Sequence, residues 1–161
     1  TPDFSYGLNI YLEYKNFDLT MFWQGVQGVD VISDLKKETD LWSGLNIGFL
    51  NKGKRVLDAW SPTNPNSTIP ALSRSDTNNE KRVSTYFVEN GSFLKLRNIQ
   101  LGYNVPKNFA QKMKMERLRF YLSAQNVFTI KSKEFTGVDP ENANYGYPIP
   151  MNITFGINVG F

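Results

Sequence analysis

The sequence contains no cysteine and no histidine. These absences exclude a disulfide framework, thiol catalysis, the common Ser-His-Asp triads and ordinary zinc sites. No uninterrupted apolar run approaches the roughly 20 residues of a membrane-spanning helix, and the mean hydropathy is −0.40. A helical membrane protein is therefore excluded, whereas strands of alternating polarity would average to a similar hydropathy.

The charge and composition exclude further classes of function. With 18 basic and 15 acidic residues, the net charge of +3 is small, and no basic run is interleaved with aromatic residues as in nucleic-acid-binding proteins. The acidic residues lie mainly in segments without strand periodicity, so there is no reason to expect two of them to converge as in a glycosidase. We therefore predict no enzyme activity, no cofactor and no nucleic-acid partner.

The last ten residues show the clearest pattern in the chain. The odd-numbered residues from Ile153 to Phe161 are all apolar, whereas the even-numbered residues from Asn152 to Gly160 are small or polar. A period of two predicts a strand with one apolar face and one polar face. A strand that ends on an aromatic residue at the chain terminus is typical of bacterial outer-membrane barrels.

Four upstream segments carry the same alternation. They predict strands at about residues 5–14, 17–24, 92–105 and 117–129, in addition to a last strand at 151–161. Short connections follow the first and third strands, whereas long loops cover residues 25–91 and 130–150. Within the first loop, residues 30–41 have the spacing of a short helix. Phe109 and Met113 indicate one or two helical turns between the third and fourth strands.

Two architectures fit these strands, a membrane barrel and a soluble antiparallel sandwich. The strands reach the roughly 9–11 residues that cross a tilted bilayer span, and aromatic residues lie near strand ends on the apolar face, as interfacial girdles require. Alternating short and long connections match the periplasmic turns and extracellular loops of outer-membrane barrels. We therefore predict an all-β section of about five antiparallel strands, which cannot close a barrel alone. Because Thr1 leads almost directly into a strand without a signal peptide, we expect the rest of the barrel upstream.

Several short sequence motifs of the chain resemble motifs of the SusC/RagA-like TonB-dependent transporters. The segment Asn90–Tyr103 (NGSFLKLRNIQLGY) is similar to their penultimate-hairpin signature, and Leu118–Thr129 (LRFYLSAQNVFT) to the following strand. The words GVDPE at 137–141 and YPIP at 147–150 match their last loop. WSPTNP at 60–65, followed by Ile69-Pro70, is similar to a large upstream loop. The resemblance covers essentially the whole chain, and the motifs occur in the same order as in that family.

This resemblance implies a plugged barrel of about 22 strands in the bacterial outer membrane. Members import glycan oligosaccharides or peptides, are capped by a SusD-like surface lipoprotein and are driven by TonB. The chain would form the C-terminal section of the barrel, with the plug and the TonB-contacting segment in the missing N-terminal part. The alternatives are a soluble β-rich carbohydrate-binding module and a passive porin.

Two groups of residues are candidates for contact with substrate, lid or plug. Aromatic residues of the predicted outer loops could stack on sugar rings or anchor the lid, although packing onto the barrel rim is the simpler interpretation for any one of them. Polar side chains facing the lumen could bind solute, or contact only the plug and water. The outer-loop aromatics are Trp42, Trp60, Tyr86, Tyr145 and Tyr147, and the lumen-facing residues are Asn98, Gln100, Arg119, Tyr121, Ser123 and Gln125.

Three further features are an acidic turn, the terminal aromatic residue and a basic connection. Asp139 and Glu141 are weak candidates for a hard cation such as calcium, but an Asp-Pro-Glu turn more often only bends the chain, so no metal is predicted. The resemblance implies that Phe161 is the signal read by the assembly machinery. The basic connection that holds Lys107, Lys112, Lys114 and Arg117 is most simply a solvated turn, with contact to anionic lipid head groups as the alternative.

Overall fold

The structure is a computed structural model that describes residues 1–41, 51–73, 79–80, 82–143 and 147–161. The chain divides into two compact units. The first, here called the sheet unit, comprises Thr1–Val29, Ser92–Lys131 and Ile149–Phe161. The second, here called the loop unit, comprises Asp30–Gly91 and Ser132–Pro148.

The described residues form seven strands and two α-helices, together with two short 3-10 turns at Lys54–Asp58 and Thr85–Phe87. The helices are α1 (Asp34–Asp40) and α2 (Lys107–Lys112). The strands are β1 (Phe4–Tyr14), β2 (Phe17–Gln27), β3 (Asp30–Ile32), β4 (Val88–Asn90), β5 (Phe93–Asn104), β6 (Arg117–Lys131) and β7 (Asn152–Gly160).

The sheet unit is a five-stranded antiparallel sheet in the order β1-β2-β5-β6-β7. Each long strand therefore pairs with the next long strand along the chain, and the sheet does not close on itself. This confirms the predicted all-β section of about five antiparallel strands. β2 continues to Gln27 and β6 to Lys131, beyond the predicted ends at residues 24 and 129, because both strands stay paired with the start of β5.

The register aligns apolar residues in continuous rows across the sheet. One row runs across all five strands, and its side chains are largely exposed on one face. The neighbouring row on the opposite face is composed of hydroxyl and amide side chains. The apolar row is Leu12, Leu19, Leu101, Leu122 and Phe155, and the polar row is Tyr11, Thr20, Gln100, Ser123 and Thr154.

An irregularity in the middle of β5 keeps this separation intact. Strict alternation from Ile99 and Leu101 would place the charged side chain of Arg97 on the apolar face. The register instead shifts between Leu96 and Asn98, as a β-bulge does. The Arg97 Nε then donates to the Gln24 Oε1 at 2.7 Å, on the polar face of β2.

The loop unit is more ordered than the sequence pattern predicts. The strands β3 and β4 pair with each other, with Asp30 opposite Asn90 and Ile32 opposite Val88. Within the segment 30–41, only Asp34–Asp40 is helical, because the preceding residues are used in β3. Ser33 begins the helix, and its Oγ accepts from the Lys36 backbone N–H at 3.2 Å.

The predicted helical turns between the third and fourth long strands are present as α2. Both helices are short, at seven and six residues. Among the described residues, no helix has the length and apolar character needed to cross a membrane.

Candidate functional site

The polar face of the sheet unit brings together the predicted lumen-facing residues. The alternation within β5 and β6 places all six on this face, and the register sets Gln100 opposite Ser123 and Asn98 opposite Gln125. These four side chains offer amide and hydroxyl groups, which both donate and accept hydrogen bonds. The face is therefore suited to binding polar groups through hydrogen bonds.

Arg119 has a specific partner that the sequence pattern does not reveal. Its guanidinium donates to both carboxylate oxygens of Asp18, with Nη2 to Oδ1 at 2.6 Å and Nε to Oδ2 at 3.2 Å. The Asn104 Nδ2 also donates to Oδ2 at 3.1 Å. Because Asp18 and Arg119 are both largely buried, this two-point contact is shielded from water and fixes both side chains.

A glycine makes room for this ion pair. Asp18 lies on β2 and Arg119 on β6, so their contact crosses the intervening strand β5 at Gly102. A Cβ atom at Gly102 would come within 2.4 Å of the Arg119 Nη2 and 2.5 Å of the Asp18 Oδ1. Since real Cβ atoms do not approach other atoms so closely, the bridge requires glycine at this position.

Tyr121 is covered in a similar way by a neighbouring strand. Gly156 of β7 lies directly opposite Tyr121. A Cβ atom at Gly156 would lie 2.2 Å from the Tyr121 Cζ, so the phenol ring occupies the space above this glycine. Arg119 also approaches the Tyr121 ring, with its Cζ 5.7 Å from the ring centroid. The structure therefore uses both Arg119 and Tyr121 within the wall of the sheet.

The aromatic residues of the predicted outer loops differ in how exposed their side chains are to other molecules. Tyr147 is 97% exposed, and Trp60 is exposed while its backbone N–H donates to the Ile69 carbonyl at 2.8 Å. Tyr86 is instead part of an internal network. Trp42 and Tyr145 lie outside the described residues.

The Tyr86 side chain is held on two sides. Its hydroxyl donates to the Asp40 Oδ2 at 2.7 Å, and the Lys36 Nζ lies 4.2 Å from its ring centroid. Burial of the phenol, and then its hydrogen bond to Asp40, raises the pKa of Tyr86 well above its ordinary value. The other Asp40 oxygen, Oδ1, accepts from the Arg55 Nε. The Tyr86 hydroxyl and ring are therefore both engaged within the loop unit.

A second buried carboxylate, Glu89, connects three segments of the loop unit. Glu89 is only 4% exposed. It accepts from the Thr136 backbone N–H at 3.0 Å and from the Thr136 Oγ1 at 2.8 Å, and the Lys36 Nζ lies 3.9 Å from its Oε1. Lys36 belongs to α1, Glu89 to β4, and Thr136 to the segment 132–148. The carboxylate thus joins elements that are distant in sequence.

The carboxylates of the second long loop take part in a turn. The Asp139 Oδ1 accepts from the Glu141 backbone N–H at 3.1 Å, and the Asp139 carbonyl accepts from the Asn142 N–H at 3.0 Å. Within the described ranges, no group of three or more acidic side chains is arranged to hold a metal ion. The geometry gives Asp139 the turn-forming role of an Asx residue.

Phe161 lies one residue beyond the end of β7 and is exposed. Just before it, the Gly160 carbonyl accepts from the Glu116 backbone N–H at 2.8 Å. This hydrogen bond ties the last residues of the chain to the connection between β5 and β6.

The sequence alternation places Asp18, Gly102, Asn104 and Gly156 on the polar face but does not single them out as candidate residues. The alternation in β2 places Asp18 on the polar face, which was visible in the sequence. Its partnership with Arg119 depends on the order and register of β2, β5 and β6, which a single sequence does not specify.

The comparisons with known proteins agree on one class. No protein-family model matches the sequence. A TonB-dependent receptor of Formosa agariphila is 34% identical over 177 aligned positions, which cover 100% of this chain and 16% of the receptor. The TonB-dependent receptor SusC of Bacteroides thetaiotaomicron is 31% identical over 163 positions, which cover 96% of this chain and 15% of SusC.

The fold shows the same similarity. The solved structure of the RagAB peptide importer in its open-open state matches with a TM-score of 0.82 and 28% sequence identity. The match covers 100% of this chain and 17% of the importer chain. The chain therefore spans about one sixth of the length of the proteins it matches. Its similarity in sequence and in fold extends over its whole length, and the chain fits a C-terminal section of the barrel of SusC/RagA-like TonB-dependent receptors.

Proposed function

We propose that the protein to which this section belongs is a nutrient importer of the bacterial outer membrane that is energised by TonB. The observation that carries this proposal is the sheet with one continuous exposed apolar face and one polar face. A soluble protein rarely leaves a contiguous apolar surface of more than a few hundred Å² exposed to water. Lipid on one side and an aqueous lumen on the other satisfy both faces.

The edges of the sheet support the same proposal. Within the described sheet, β1 and β7 are edge strands and each pairs with one neighbour. Unpaired backbone groups are not tolerated in lipid, because no water is present to satisfy them. The missing barrel strands would pair with these edges, and the plug would lie in the missing part together with the segment that contacts TonB.

We propose peptides or glycan oligosaccharides as the substrate class, with support from the relatives. One solved relative is a peptide importer, and the resemblance of the sequence also includes importers of glycan oligosaccharides. We propose that the polar row of Asn98, Gln100, Ser123 and Gln125 contacts the plug, water or solute in the lumen. Arg119 and Tyr121 instead stabilise the wall, because their side chains are engaged with Asp18 and Gly156.

The loop unit would support a SusD-like lipoprotein lid. Trp60 and Tyr147 are exposed there and are available for contact with the lid or the substrate. Tyr86 is less suited to such contact, since its hydroxyl and ring are both engaged within the unit. The buried Glu89 would hold the unit in a fixed conformation beneath the lid.

Uptake by the full-length receptor tests the function. Cells that lack the receptor are complemented with the intact gene, and import of labelled oligosaccharides and peptides is measured with and without TonB. We expect uptake of one substrate class to require both the receptor and TonB. Uptake that persists without TonB would instead indicate a passive porin, and folding of the receptor in plain buffer without detergent would indicate a soluble module.

Phe161 is proposed as the assembly signal. Its exposed position after β7 leaves the side chain accessible to another protein. We expect deletion of Phe161, or Phe161→Asp, to lower the amount of full-length receptor in the outer membrane. Unchanged levels would contradict this role, and Val138→Asp on an exposed loop position provides a control for the added charge.

A further inference from the structure

The connection between β5 and β6 combines exposed apolar side chains with a cluster of positive charge. Phe109 is 61% exposed and Met113 is 49% exposed. Between Val105 and Arg117, this connection carries four basic residues and a single acidic residue, Glu116. Two large exposed apolar side chains and a cluster of positive charge therefore share one short connection.

The connection is fixed in position by its backbone. The Val105 N–H donates to the Leu118 carbonyl at 2.9 Å, and the Met115 N–H donates to the Ala110 carbonyl at 3.0 Å. The Glu116 N–H donates to the Gly160 carbonyl at 2.8 Å, which attaches the connection to β7. Phe109 and Met113 are therefore presented by a rigid segment.

The connection also adjoins the apolar face of the sheet. Leu118, the apolar-face residue of β6 nearest to the connection, is only 8% exposed, whereas Leu122 on the same face is 50% exposed. The helix α2 contacts β6, and its Ala110 is buried. The connection thus continues the apolar face at the end of the sheet.

The other short connection repeats the same pairing of charge and aromatic ring. Lys15, in the turn between β1 and β2, has its Nζ 5.2 Å from the ring centroid of Tyr14. Lys112 has its Nζ 5.6 Å from the ring centroid of Phe109. An aromatic ring with an ammonium group beside it fits a membrane interface, where the ring lies among lipid chains and the charge among head groups.

On the apolar face, the row of side chains that follows the leucine row lies close to both short connections. It aligns aromatic side chains of neighbouring strands. The members of this row are Tyr14, Phe17, Tyr103 and Phe120, followed by Ile157 on β7.

We propose that this end of the sheet binds anionic phospholipid head groups, with Phe109 and Met113 inserted among the acyl chains and the adjacent lysines in contact with the lipid phosphates. The inference rests on the proposed membrane function and adds a lipid preference to it. Charge complementarity favours a lipid surface, because the two short connections at this end of the sheet, residues 15–16 and 105–116, carry four basic residues and one acidic residue. Continuity with the aromatic row favours the bilayer over a separate protein partner.

Fluorescence quenching by brominated lipids tests the inference in the full-length receptor. This section contains no cysteine, so a bimane label can be attached to Phe109→Cys once any cysteine outside the section is replaced. The receptor is placed in nanodiscs that contain brominated phosphatidylglycerol or brominated phosphatidylcholine as a minor component. Matched labels at Gln111→Cys, an exposed polar position of α2, and at Leu122→Cys, in the middle of the apolar face, serve as controls.

We expect strong quenching at Phe109→Cys and Leu122→Cys, and weak quenching at Gln111→Cys. At Phe109→Cys, the anionic lipid should be favoured over the zwitterionic lipid by about threefold or more. Replacement of Lys107, Lys112 and Lys114 by glutamine should abolish this preference, as should high salt.

Each contrary result has a distinct meaning. If Phe109→Cys is not quenched while Leu122→Cys is, the connection does not enter the bilayer and the inference is wrong, although the proposed membrane function survives. If neither is quenched, the membrane function itself is contradicted. An anionic preference that persists after the triple glutamine substitution would overturn the role of the lysines.

Discussion

The sheet unit and the loop unit differ in the apolar surface that they expose and in the carboxylates that they bury. The sheet unit exposes a continuous row of leucine and phenylalanine side chains, whereas the loop unit buries the carboxylates of Glu38, Asp40, Glu89 and Asp139. In water, the first arrangement would be unfavourable, because apolar surface is stabilised by removal from water. This difference is the one expected if, as proposed, the two units lie in different surroundings, a bilayer and an aqueous loop region.

The two units are also stabilised by different interactions. The sheet unit is held by continuous backbone pairing between neighbouring strands, and the largely buried Asp18–Arg119 ion pair spans β2, β5 and β6. The loop unit has only one short strand pair among its described residues. Side-chain carboxylates connect its segments instead, and they satisfy donors that regular structure does not.

A charge on the apolar face should have the largest effect. We expect Leu122→Arg to destabilise the full-length receptor by about 2–4 kcal/mol, the cost of arginine near the bilayer midplane on a barrel. The level of receptor in the outer membrane should fall accordingly. Ser123→Arg, the neighbouring residue on the polar face, is the matched control and should have a much smaller effect. Equal losses for both variants would contradict the assignment of the two faces.

Removal of the ion pair on the polar face should have the next largest effect. We expect Asp18→Asn to destabilise the receptor by about 2 kcal/mol, because Arg119 would lose a two-point contact to a charged acceptor. Chemical unfolding of the receptor in detergent measures this change. In a double-mutant cycle with Arg119→Gln, the second substitution should cost little once Asp18 is replaced. Additive losses would show that the two residues do not stabilise the wall as a pair.

Glu89→Gln should affect the loop unit alone. The neutral amide keeps an acceptor for Thr136 but loses the charge near Lys36, so we expect a local destabilisation of about 1 kcal/mol. Hydrogen exchange should accelerate in β4 and around Thr136, while the long strands keep their protection. Faster exchange in β6 or β7 would contradict an effect of Glu89 confined to the loop unit.

Substitution of Tyr86 should have the smallest effect on stability and should change how stability depends on pH. Because its pKa is raised in the folded state, the unfolded state loses the phenol proton first as the pH rises. The stabilisation from Tyr86 is therefore complete below its unfolded pKa of about 10 and declines above it. We expect stability to fall less between pH 9 and about 11 in Tyr86→Phe than in the parent receptor. An identical pH dependence would show that the Tyr86 hydroxyl does not remain protonated through its bond to Asp40.

The sequence predicts the sheet well because alternation is a local property. The apolar and polar faces of β6 and β7 follow directly from residues such as Leu122, Ser123 and Phe155. The irregularity at Arg97 is different, since only the shift in pairing with β2 and β6 moves this charge away from the apolar face. The short strands β3 and β4 were also missed, because three-residue strands far apart in sequence have no periodicity to detect.

The candidate residues also divide into features that local alternation predicts and features that depend on residues distant in sequence. Side-chain direction along β5 and β6 can be predicted from the alternation, and all six residues predicted to face the lumen share the polar face. The partners of these residues could not, because Asp18 meets Arg119 only through the strand order. Tyr86 was predicted as an outer-loop aromatic that could contact substrate, but its exposure depends on Asp40 and Lys36, which are distant in sequence.

The most direct test of the account is the lipid accessibility of successive residues along β6. Single nitroxide labels are placed from Phe120 to Ala124 in the full-length receptor in a bilayer, and collision with oxygen is compared with collision with a water-soluble nickel complex. We expect a period of two, with oxygen favoured at Phe120, Leu122 and Ala124 and disfavoured at Tyr121 and Ser123. Accessibility without this alternation, or nickel favoured at Leu122, would contradict the claim that this sheet is the lipid-facing wall of a membrane barrel.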